Sequence, residues 1–503
     1  MTELAGPLAR YGFQDVARAQ ANVDVLAADP VLGDRLGELL EATARAADPD
    51  QALNLLERLA SGGDEAALGA VLRRPRALQR TVALLGASVF LGEVVIREPA
   101  HLAWLLVPGT LERARHRRDL VTEAARQLAP ARTPQARLER LRAFRRRELL
   151  HVGARDLLGI ATVPQTLRSL TTLAEVVIEQ AYAVCLAALL DHCGARHVRP
   201  ERSGFAVLGL GKLGAGELNF SSDVDLVYVY GSDSEPVALA RALSLALPEF
   251  YRRLARDLTA ALSDRTGEGQ LYRVDLRLRP DGRYGALVHS LASIEPYYDL
   301  RGASWERVAL IRARPVAGDR TVGSRFLESV RPFVYGRPLD RHALREILRL
   351  KLRLDLLVDV KGQLRRHVKL GTGGIREVEM VVQTLQLRFG GSRPALRRRG
   401  LTDALRALAR ERRLPREESA ALAQAYVFLR DVENKLQMAR GLQTHVLPDD
   451  PLELRALARR MGYRDQGALR AERLFQADFK RHTARVRRAY RRPFGPAGPF
   501  GAR

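Results

Sequence analysis

Two aspartates, Asp223 and Asp225, stand at the start of the run "DVDLVYVY", whose β-branched and aromatic residues are typical of a strand. Because alternate side chains of a strand point to the same side, both carboxylates are expected to project together. Neighbouring carboxylates repel each other, and a divalent cation is the common remedy. Mg²⁺, which prefers oxygen ligands, fits best. The pair therefore predicts a metal site at the head of a strand, with a solvated strand edge as the alternative.

A third acidic residue, Asp275, lies in another strand-like run, "YRVDLRLRP". On the period-two face of that run it is flanked by Arg273, Arg277 and Arg279. Two-metal transfer of a phosphoryl or nucleotidyl group usually takes a further carboxylate from a neighbouring strand, and arginines bind phosphate oxygens. We expect this run to hold metal and phosphate oxygens together beside the first pair.

A glycine-rich turn precedes the paired aspartates in "GLGKLGAGELNFSSDVDLVYVY". Gly209, Gly211 and Gly214 match the G-x-G-x-x-G fingerprint of dinucleotide-binding folds, but only "AGELNFSS" separates them from the strand, which leaves no room for the full helix that such a fold needs. A P-loop is excluded too, because Leu213 rather than Ser or Thr follows Lys212 and the first glycine of that motif is missing. The remaining interpretation is a nucleotidyltransferase palm, in which a glycine turn and a short helix lead into a strand bearing D-x-D.

The periodicity of the chain changes twice along its length. Up to about residue 200 the sequence is rich in Ala, Leu and Arg at helical spacing, as in "LERLRAFRRRELLHVGARDLLG", whose arginines are expected to face water or a substrate. Between about Gly204 and Val316 the pattern indicates an α/β island, and helical patterning returns after Arg331. The island contains the strand-like runs "FAVLGL", "DVDLVYVY", "LYRVDLRLRP" and "WERVALIRARPVAG", with a helical stretch, "EPVALARALSLALPEFYRRLARDLTAAL", between the second and the third.

The predicted fold is mostly α-helical with an α/β nucleotidyltransferase domain of the polymerase-β palm type. In the C-terminal bundle a helix is expected to begin after Pro415 and to end at Gly441, with a buried stripe formed by Leu422, Tyr426, Leu429, Val432 and Leu436. The predicted divisions are a helical region over residues 1–135, the nucleotidyltransferase domain over 136–325, the helical bundle over 326–490 and a flexible tail over 491–503.

Composition and charge narrow the classes of function. The chain of 503 residues carries a formal charge of +24, but its 82 basic residues include only six lysines, an imbalance typical of a GC-rich genome. Nucleic acid binding is therefore not expected as the main function, although the charge favours an anionic small substrate. Cys185 and Cys193 lie in an apolar helical segment and are predicted to be buried thiols, with neither a zinc site nor a disulfide.

No membrane-spanning segment is predicted, because the apolar run from Thr81 to Gly92 is shorter than the roughly 18 residues needed to cross a bilayer. The N-terminus carries early acidic residues and lacks the apolar stretch of a secretory signal. We therefore expect a cytoplasmic protein.

Four long motifs in order resemble the signatures of the glutamine synthetase adenylyltransferase/adenylyl-removing enzyme family. They are "GLGKLGAGELNFSSDVDLVYVY", "YRVDLRLRPDGRYGALVHSL", "WERVALIRARPVAGD" and "KLGTGGIREVEMVVQTLQLRFGG". Enzymes of that family resemble two tandem copies of one module, each a nucleotidyltransferase domain followed by a helical bundle. This chain has one such module, and its "NFSSDVD" and "KLGTGGIREVE" are more similar to the N-terminal, adenylyl-removing copy.

The resemblance assigns roles to particular residues. Asp223, Asp225 and Asp275 correspond to the catalytic, metal-binding carboxylates of the family, with Mg²⁺ as cofactor. The residues implied in binding nucleotide or phosphate are Gly209, Gly211, Lys212, Gly214, Ser221, Ser222, Arg277, Arg279, Gly373, Gly374 and Arg376. The "WER" of the third motif, Trp305 to Arg307, is expected to be structural support.

The stretch "GTGGIREVE" allows two interpretations. Gly373 and Gly374 before a helix form either an anion-binding helix N-terminus that uses Arg376 or a tight turn between bundle helices. Its place in the family motif favours the first. Glu377 and Glu379 are expected to orient Arg376 or a metal-bound water.

The resemblance implies removal of AMP from a tyrosine of glutamine synthetase by phosphorolysis, which releases ADP. Glutamine synthetase would then be the protein substrate, ATP or ADP and phosphate the small ligands, and a PII-type nitrogen regulator a further partner. The alternative is ATP-dependent adenylylation of glutamine synthetase or another protein. A hypothesis of a different class is a non-catalytic regulatory module, against which the three intact aspartates argue.

Overall fold

A small mixed β-sheet lies between two groups of helices in the computed structural model of the chain. The strand order is β3-β2-β1-β5, and β4 pairs with β2 beyond the end of β3. Strand β1 is antiparallel to both of its neighbours, whereas β2 is parallel to β3 and β4. The strands are β1 (Phe205–Gly209), β2 (Val224–Tyr230), β3 (Val274–Asp275), β4 (Val288–Ser290) and β5 (Arg314–Gly318). The structure describes residues 8, 10–62, 69, 71–194, 202–231, 245–337 and 339–494.

The alternation along β1 and β2 divides the hydrophobic core into two halves. Leu226 and Tyr228 pack with the N-terminal helices, whereas Val227 and Val229 pack with the C-terminal helices. Both faces of these strands are buried, because helices cover the sheet on both sides. The aspartates that precede and interrupt the apolar run therefore lie at an edge of the sheet that neither helical group fully covers.

The N-terminal region is helical, as predicted. Its longest helix, α9 (Val163–His192), is long and apolar enough to cross a membrane by length and composition, with a mean hydropathy of 1.8 in its most apolar window. This segment was missed from the sequence, but 67% of that window is buried within the protein, as in a core helix. The helices are α1 (Val16–Ala28), α2 (Leu36–Ala44), α3 (Pro49–Gly62), α4 (Pro75–Ala87), α5 (Val89–Arg97), α6 (Pro99–Leu105), α7 (Arg117–Leu128), α8 (Pro134–Leu157) and α9 (Val163–His192).

Two details of this region concern buried polar groups. Cys185 and Cys193 are buried free thiols, as predicted. The arginines of α8 do not all face solvent, however, because Arg142 and Arg155 are buried. Arg142 donates to the carbonyl oxygen of Ala261 at 3.2 Å. The long guanidinium side chain thus joins α8 to the end of a helix more than a hundred residues away, a role that local spacing does not reveal.

The α/β region differs from the prediction in two of its four strands. Only Val274–Asp275 of "LYRVDLRLRP" forms a strand, and the rest turns back on itself. The first half of "WERVALIRARPVAG" is helical, and its strand begins at Arg314. The predicted helix between the second and third runs begins at Leu247, and its residues 235–244 lie outside the described part of the chain. The helices are α10 (Gly211–Ala215), α11 (Leu247–Ser263), α12 (Leu291–Leu300), α13 (Ser304–Leu310) and α14 (Arg320–Arg331).

The C-terminal bundle contains the helix predicted after Pro415, which ends at Gly441 in a left-handed conformation. All five residues of the predicted apolar stripe are buried. The last helix continues through Arg491–Phe494, predicted as tail, where the ring of Phe494 stacks on Tyr490 at 4.8 Å. The helices are α15 (Arg341–Asp359), α16 (Ile375–Phe389), α17 (Leu401–Arg410), α18 (Arg416–Arg440), α19 (Pro451–Arg460) and α20 (Ala471–Phe494).

Helix α18 also buries a polar face that its apolar pattern does not predict. Arg430 is 0% exposed and donates to Glu433 Oε2 at 2.6 Å and to the carbonyl oxygen of Glu217. Tyr426 donates to the Glu217 carboxylate at 2.7 Å. This network joins the bundle to the segment between α10 and β2.

The Arg430→Ala substitution should lower the free energy of unfolding by about 3–5 kcal/mol, because it removes one of the two cationic donors of the buried Glu433 carboxylate and the donor of the Glu217 carbonyl. Urea denaturation measures the loss. Arg406→Ala, which removes an exposed pair with Asp403, is the matched control and should change the free energy by less than about 0.5 kcal/mol. Equal effects of the two substitutions would contradict the network's role.

Candidate active site

A cavity of about 580 Å³ opens at the edge of the sheet where β2 and β3 begin. Its floor carries the three predicted aspartates, and its walls come from α13, α15, α16 and the segment that follows α18. The polar lining residues are Lys212, Ser222, Asp223, Asp225, Asp275, Arg277, Arg312, Lys351, His367, Lys369, Arg376, Glu379, Gln383, Thr384, Gln443 and His445.

Asp225 is the carboxylate whose negative charge is least stabilised by neighbouring groups. The parallel pairing of β2 with β3 places Asp225 directly beside Asp275. Burial, together with the negative charges of Asp275 and Asp223, raises the pKa of Asp225 to about 6. Among the described residues, no side chain or backbone N–H within hydrogen-bonding distance donates to its carboxylate. A nearly buried anion without a donor is costly, and a bound cation would remove that cost.

The other two aspartates are each paired with an arginine. Asp223 Oδ1 accepts from Arg273 Nε at 2.5 Å, and its other oxygen accepts from Gln443 Nε2 at 3.3 Å. Asp275 accepts from the backbone N–H of Arg277 at 2.9 Å and from its guanidinium at 2.5 to 3.0 Å. Although burial opposes it, these hydrogen bonds hold the pKa of Asp275 below its usual value.

Because two of the three carboxylates are paired with arginines, their oxygens are not free for a shared metal ion. In this conformation, no group of three or more His, Cys, Asp or Glu side chains in the described residues is arranged to hold one. The donor set still suits a hard divalent cation, because it consists of carboxylates and Asp225 has no partner of its own. Asp225, with Asp223 and Asp275 beside it, would hold the ion.

The glycine turn brings α10 against Asp225. Gly211 has a φ of +52°, and a Cβ atom there would overlap the Asp225 carboxylate. A side chain on Gly214 would overlap the carbonyl oxygens of Arg312 and Gly209. A Cβ on Gly209 would lie 2.8 Å from Val316. These glycines permit close packing around the carboxylate, and only Gly211 lines the cavity.

Lys212 lines the cavity but is already paired. Its Nζ donates to Glu433 Oε1 at 2.8 Å, and the Nδ1 atom of His445 lies 3.0 Å from the same oxygen. Burial lowers the pKa of Lys212 to about 7, although the charge of Glu433 opposes that shift. The negative charge of Glu433 is well stabilised, because Lys212 and Arg430 hold its pKa far below the usual value against the effect of burial. Lys212 is therefore tied to the bundle rather than free for phosphate.

The two serines before Asp223 differ in position. Ser221 donates its backbone N–H to Gln437 at 3.0 Å and its hydroxyl to the carbonyl of Gly441 at 3.1 Å. Its predicted role in binding phosphate is not supported, because these bonds attach it to α18 and it does not line the cavity. Ser222 does line the cavity.

Of the two predicted phosphate-binding arginines, only one lines the cavity. Arg277 is on the cavity wall with its side chain 78% exposed, and it is paired with Asp275. Arg279 instead donates to the carbonyl oxygens of Leu276, Gly285 and Ala286 at 2.8 to 3.3 Å. The common face predicted for these arginines is wrong, because β3 ends at Asp275 and Arg279 holds together the turn that follows.

The stretch from Gly371 to Arg376 is a tight turn. Gly373 has a φ of +72°, and a Cβ atom there would overlap the backbone of Thr483 in α20. Gly374 caps α16, but the N–H groups of Ile375 and Arg376 donate to Val368 and Lys369 carbonyls at 3.0 and 2.9 Å. Protein carbonyls already occupy these donors, which favours the tight-turn interpretation over an anion site at this helix N-terminus.

The side chain of Arg376 nevertheless reaches the cavity. It pairs with Glu379 at 3.3 Å, as predicted, and Glu379 also accepts from the buried Arg312 at 3.0 Å. Glu377 faces elsewhere and accepts from Arg487 at 2.6 Å. These contacts make Glu379 the residue that orients Arg376.

Comparisons with known proteins agree with this geometry. Residues 78–329, half of the chain, match the family model described as glutamate-ammonia ligase adenylyltransferase. The chain belongs to this family. All three aspartates of the cavity floor lie in the matched region. Residues 344–494 match a second model, described as GlnD PII-uridylyltransferase, and this region supplies the opposite wall of the cavity.

Three similar relatives are each named bifunctional glutamine synthetase adenylyltransferase/adenylyl-removing enzyme. The protein of Nitrosococcus oceani is 39% identical over 426 residues, 84% of this chain and 43% of the relative. That of Stenotrophomonas maltophilia is 42% identical over 393 residues, 76% and 40% of the two chains. That of Thioalkalivibrio sulfidiphilus is 38% identical over 430 residues, which are 85% of this chain and 43% of the relative. The chain spans about two fifths of the length of these adenylyltransferase relatives.

Several residues that line the cavity of this adenylyltransferase family member were missed from the sequence. Lys369 stands just before the glycines of the fourth motif, and His367 accepts from the backbone N–H groups of Lys369 and Leu370 at 3.3 and 3.0 Å. The His367 ring stacks on His445 at 5.6 Å. Trp305, predicted as support, lines the cavity, whereas Glu306 and Arg307 are buried and structural. Trp305 and Lys369 lie inside family motifs, which could have signalled them, whereas His367 and His445 lie outside the four motifs.

The Asp225→Asn substitution should stabilise the metal-free protein at pH 7.5 by about 1–2 kcal/mol. The folded state raises the pKa of Asp225 to about 6, so ionisation costs stability as the pH rises from about 4 to 6. The gain should be full above pH 6 and shrink toward pH 4 in thermal melts with EDTA. Asp275→Asn is the opposite control and should destabilise at neutral pH. A gain independent of pH would contradict the electrostatic cause.

The Gly373→Ala substitution should lower the free energy of unfolding by more than about 2 kcal/mol, because it adds a clash with Thr483 to the cost of a left-handed residue. Gly362→Ala is the matched control, with a φ of +64° and open space around its Cβ, and should cost only about 1 kcal/mol. Urea denaturation of both variants measures the difference. Equal losses would show that α16 and α20 do not need this close approach.

Proposed function

We propose that this chain is a magnesium-dependent nucleotidyltransferase that removes AMP from an adenylylated tyrosine of glutamine synthetase by phosphorolysis, releasing ADP. The observation that carries the proposal is the charge distribution of the cavity. Three carboxylates lie on its floor, one of them without a hydrogen-bond donor among the described residues, and the cationic side chains of Arg312, Lys351, Lys369 and Arg376 line its walls. Such a site suits a divalent cation together with phosphate groups.

The chemistry follows from these two sets of charges. In phosphorolysis an oxygen of hydrogen phosphate forms a bond to the phosphorus of adenylyl-tyrosine while the bond to the tyrosine oxygen breaks, and the proton of hydrogen phosphate passes to the tyrosine oxygen, which leaves as a hydroxyl. A bound Mg²⁺ would offset negative charge on the reacting oxygens. Lys369 and Arg376 would bind and orient the anionic reactants, and Glu379 holds Arg376 in place for that role.

The direction of the reaction is proposed from sequence resemblance. The stretches "NFSSDVD" and "KLGTGGIREVE" are more similar to the adenylyl-removing copy of the family's module. The cations on the cavity walls would bind the anionic reactants of phosphorolysis, as they would the phosphates of ATP. Adenylylation from ATP would use the same residues and is the second candidate. A PII-type nitrogen regulator is a proposed partner, supported by the match of residues 344–494 to a PII-uridylyltransferase model.

The test is release of ADP when the purified chain is given adenylylated glutamine synthetase, inorganic phosphate and Mg²⁺. Asp223→Asn/Asp225→Asn should lower the rate at least about a hundredfold, because it removes charge that holds the metal. Asp403→Asn, an exposed aspartate on α17, should leave the rate unchanged. EDTA should abolish ADP release, and added Mg²⁺ should restore it.

Two outcomes would overturn the proposal. Transfer of label from α-³²P-ATP to unmodified glutamine synthetase, without ADP release in the first assay, would show the opposite direction. Absence of both activities in the folded wild-type chain, judged by its thermal melt, would favour a non-catalytic role.

A further inference from the structure

One helix at the cavity presents an uncovered apolar row to solvent. In α15, Leu352 and Leu356 are 60% and 64% exposed, and Val360, which caps the C-terminus of the helix, is 87% exposed. Their spacing of four residues places them in one row along the helix, which we call the leucine ridge. Single exposed apolar residues are ordinary on a protein surface, but three consecutive members of one row form a patch.

A basic row runs beside the leucine ridge on the same helix. Arg345, Arg349 and Arg353 are exposed and also recur every four residues. In the described part of the chain, none of the three forms an ion pair with a carboxylate. We call this row the arginine ridge. A surface that covers both rows would need apolar side chains flanked by acidic ones.

The inner side of α15 connects these ridges to the cavity. Ile347 and Lys351 are buried and line the cavity, whereas Leu350 lines it while remaining 39% exposed. Leu350 therefore marks the rim, where the cavity meets solvent. A molecule that covers the outer side of α15 lies next to the entrance of the site.

We propose that the leucine and arginine ridges are the docking surface for the macromolecular substrate, which presents an apolar strip bordered by acidic residues. This inference rests on the proposed function, because a modified tyrosine on a large protein must enter the cavity past this rim. A protein that inserts one side chain there covers the adjoining surface, and α15 offers both the apolar area and the unpaired charge that a specific contact uses.

The test compares two substrates of the same chemistry. Leu352→Asp/Leu356→Asp should lower kcat/KM for adenylylated glutamine synthetase about tenfold or more, the loss typical of removing central apolar contacts. With free O-adenylyl-tyrosine and phosphate, which need no docking surface, the rate should change less than about twofold. Leu469→Asp, an exposed leucine in a loop distant in sequence, is the control and should leave both rates unchanged.

Binding is measured separately so that docking is tested even if the chain proves inactive. Adenylylated glutamine synthetase should bind the Asp223→Asn/Asp225→Asn variant by calorimetry, and adding Leu352→Asp/Leu356→Asp should weaken that binding about tenfold. Arg349→Glu/Arg353→Glu should also weaken it and reduce its dependence on salt concentration. Thermal melts confirm that each variant is folded.

Three results would overturn the inference. Equal losses on the protein and on O-adenylyl-tyrosine would show that α15 shapes the cavity rather than docks the substrate. Unchanged binding and kcat/KM in the ridge variants would exclude this surface. Wild-type self-association that the ridge substitutions abolish, with substrate binding intact, would identify a second copy of the chain as the occupant.

Discussion

The candidate active site depends on a ladder of hydrogen bonds between the buried polar face of α18 and the segment that leads into β2. That segment has little regular structure of its own, and its backbone groups would be unsatisfied in an apolar core. Side chains of α18 supply the partners at successive turns. The ladder consists of Arg430 with the Glu217 carbonyl, Asn434 with the Phe220 N–H, Gln437 with the Ser221 N–H, and Glu433 with Lys212. The bundle thereby fixes the position of the chain just before Asp223 and Asp225.

A second constraint is the close approach of α10 to Asp225. Gly211 leaves room for Asp225, but it gives the carboxylate no donor, and the neighbouring acids raise its pKa. The Asp225 carboxylate is therefore a nearly buried charge that receives no hydrogen bond from the part of the chain that the structure describes. Sites that bind metal and phosphate commonly carry such local instability, since the ligand completes the electrostatics. The stable polar ladder of α18 keeps the strand in place despite this repulsion.

The sequence could predict the parts of the structure that obey a short period. Strand alternation located Asp223 and Asp225, and helical spacing located the apolar stripe of α18. It could not predict that β3 would end at Asp275, because the bonds from Arg279 to backbone carbonyls that form the turn carry no periodic signal. The polar face of α18 was missed for a related reason: its partners lie about two hundred residues earlier in the chain.

The ladder of α18 also decides how the chain can be divided. The two matched regions, 78–329 and 344–494, meet in sequence at a place where a boundary between modules would ordinarily be drawn. Structurally that boundary separates the carboxylates from the helix that positions them, and it exposes the core face of β2 that packs on the bundle. The candidate site is thus composite: a fragment cut between the two regions would retain all three cavity aspartates while losing the helix that positions them.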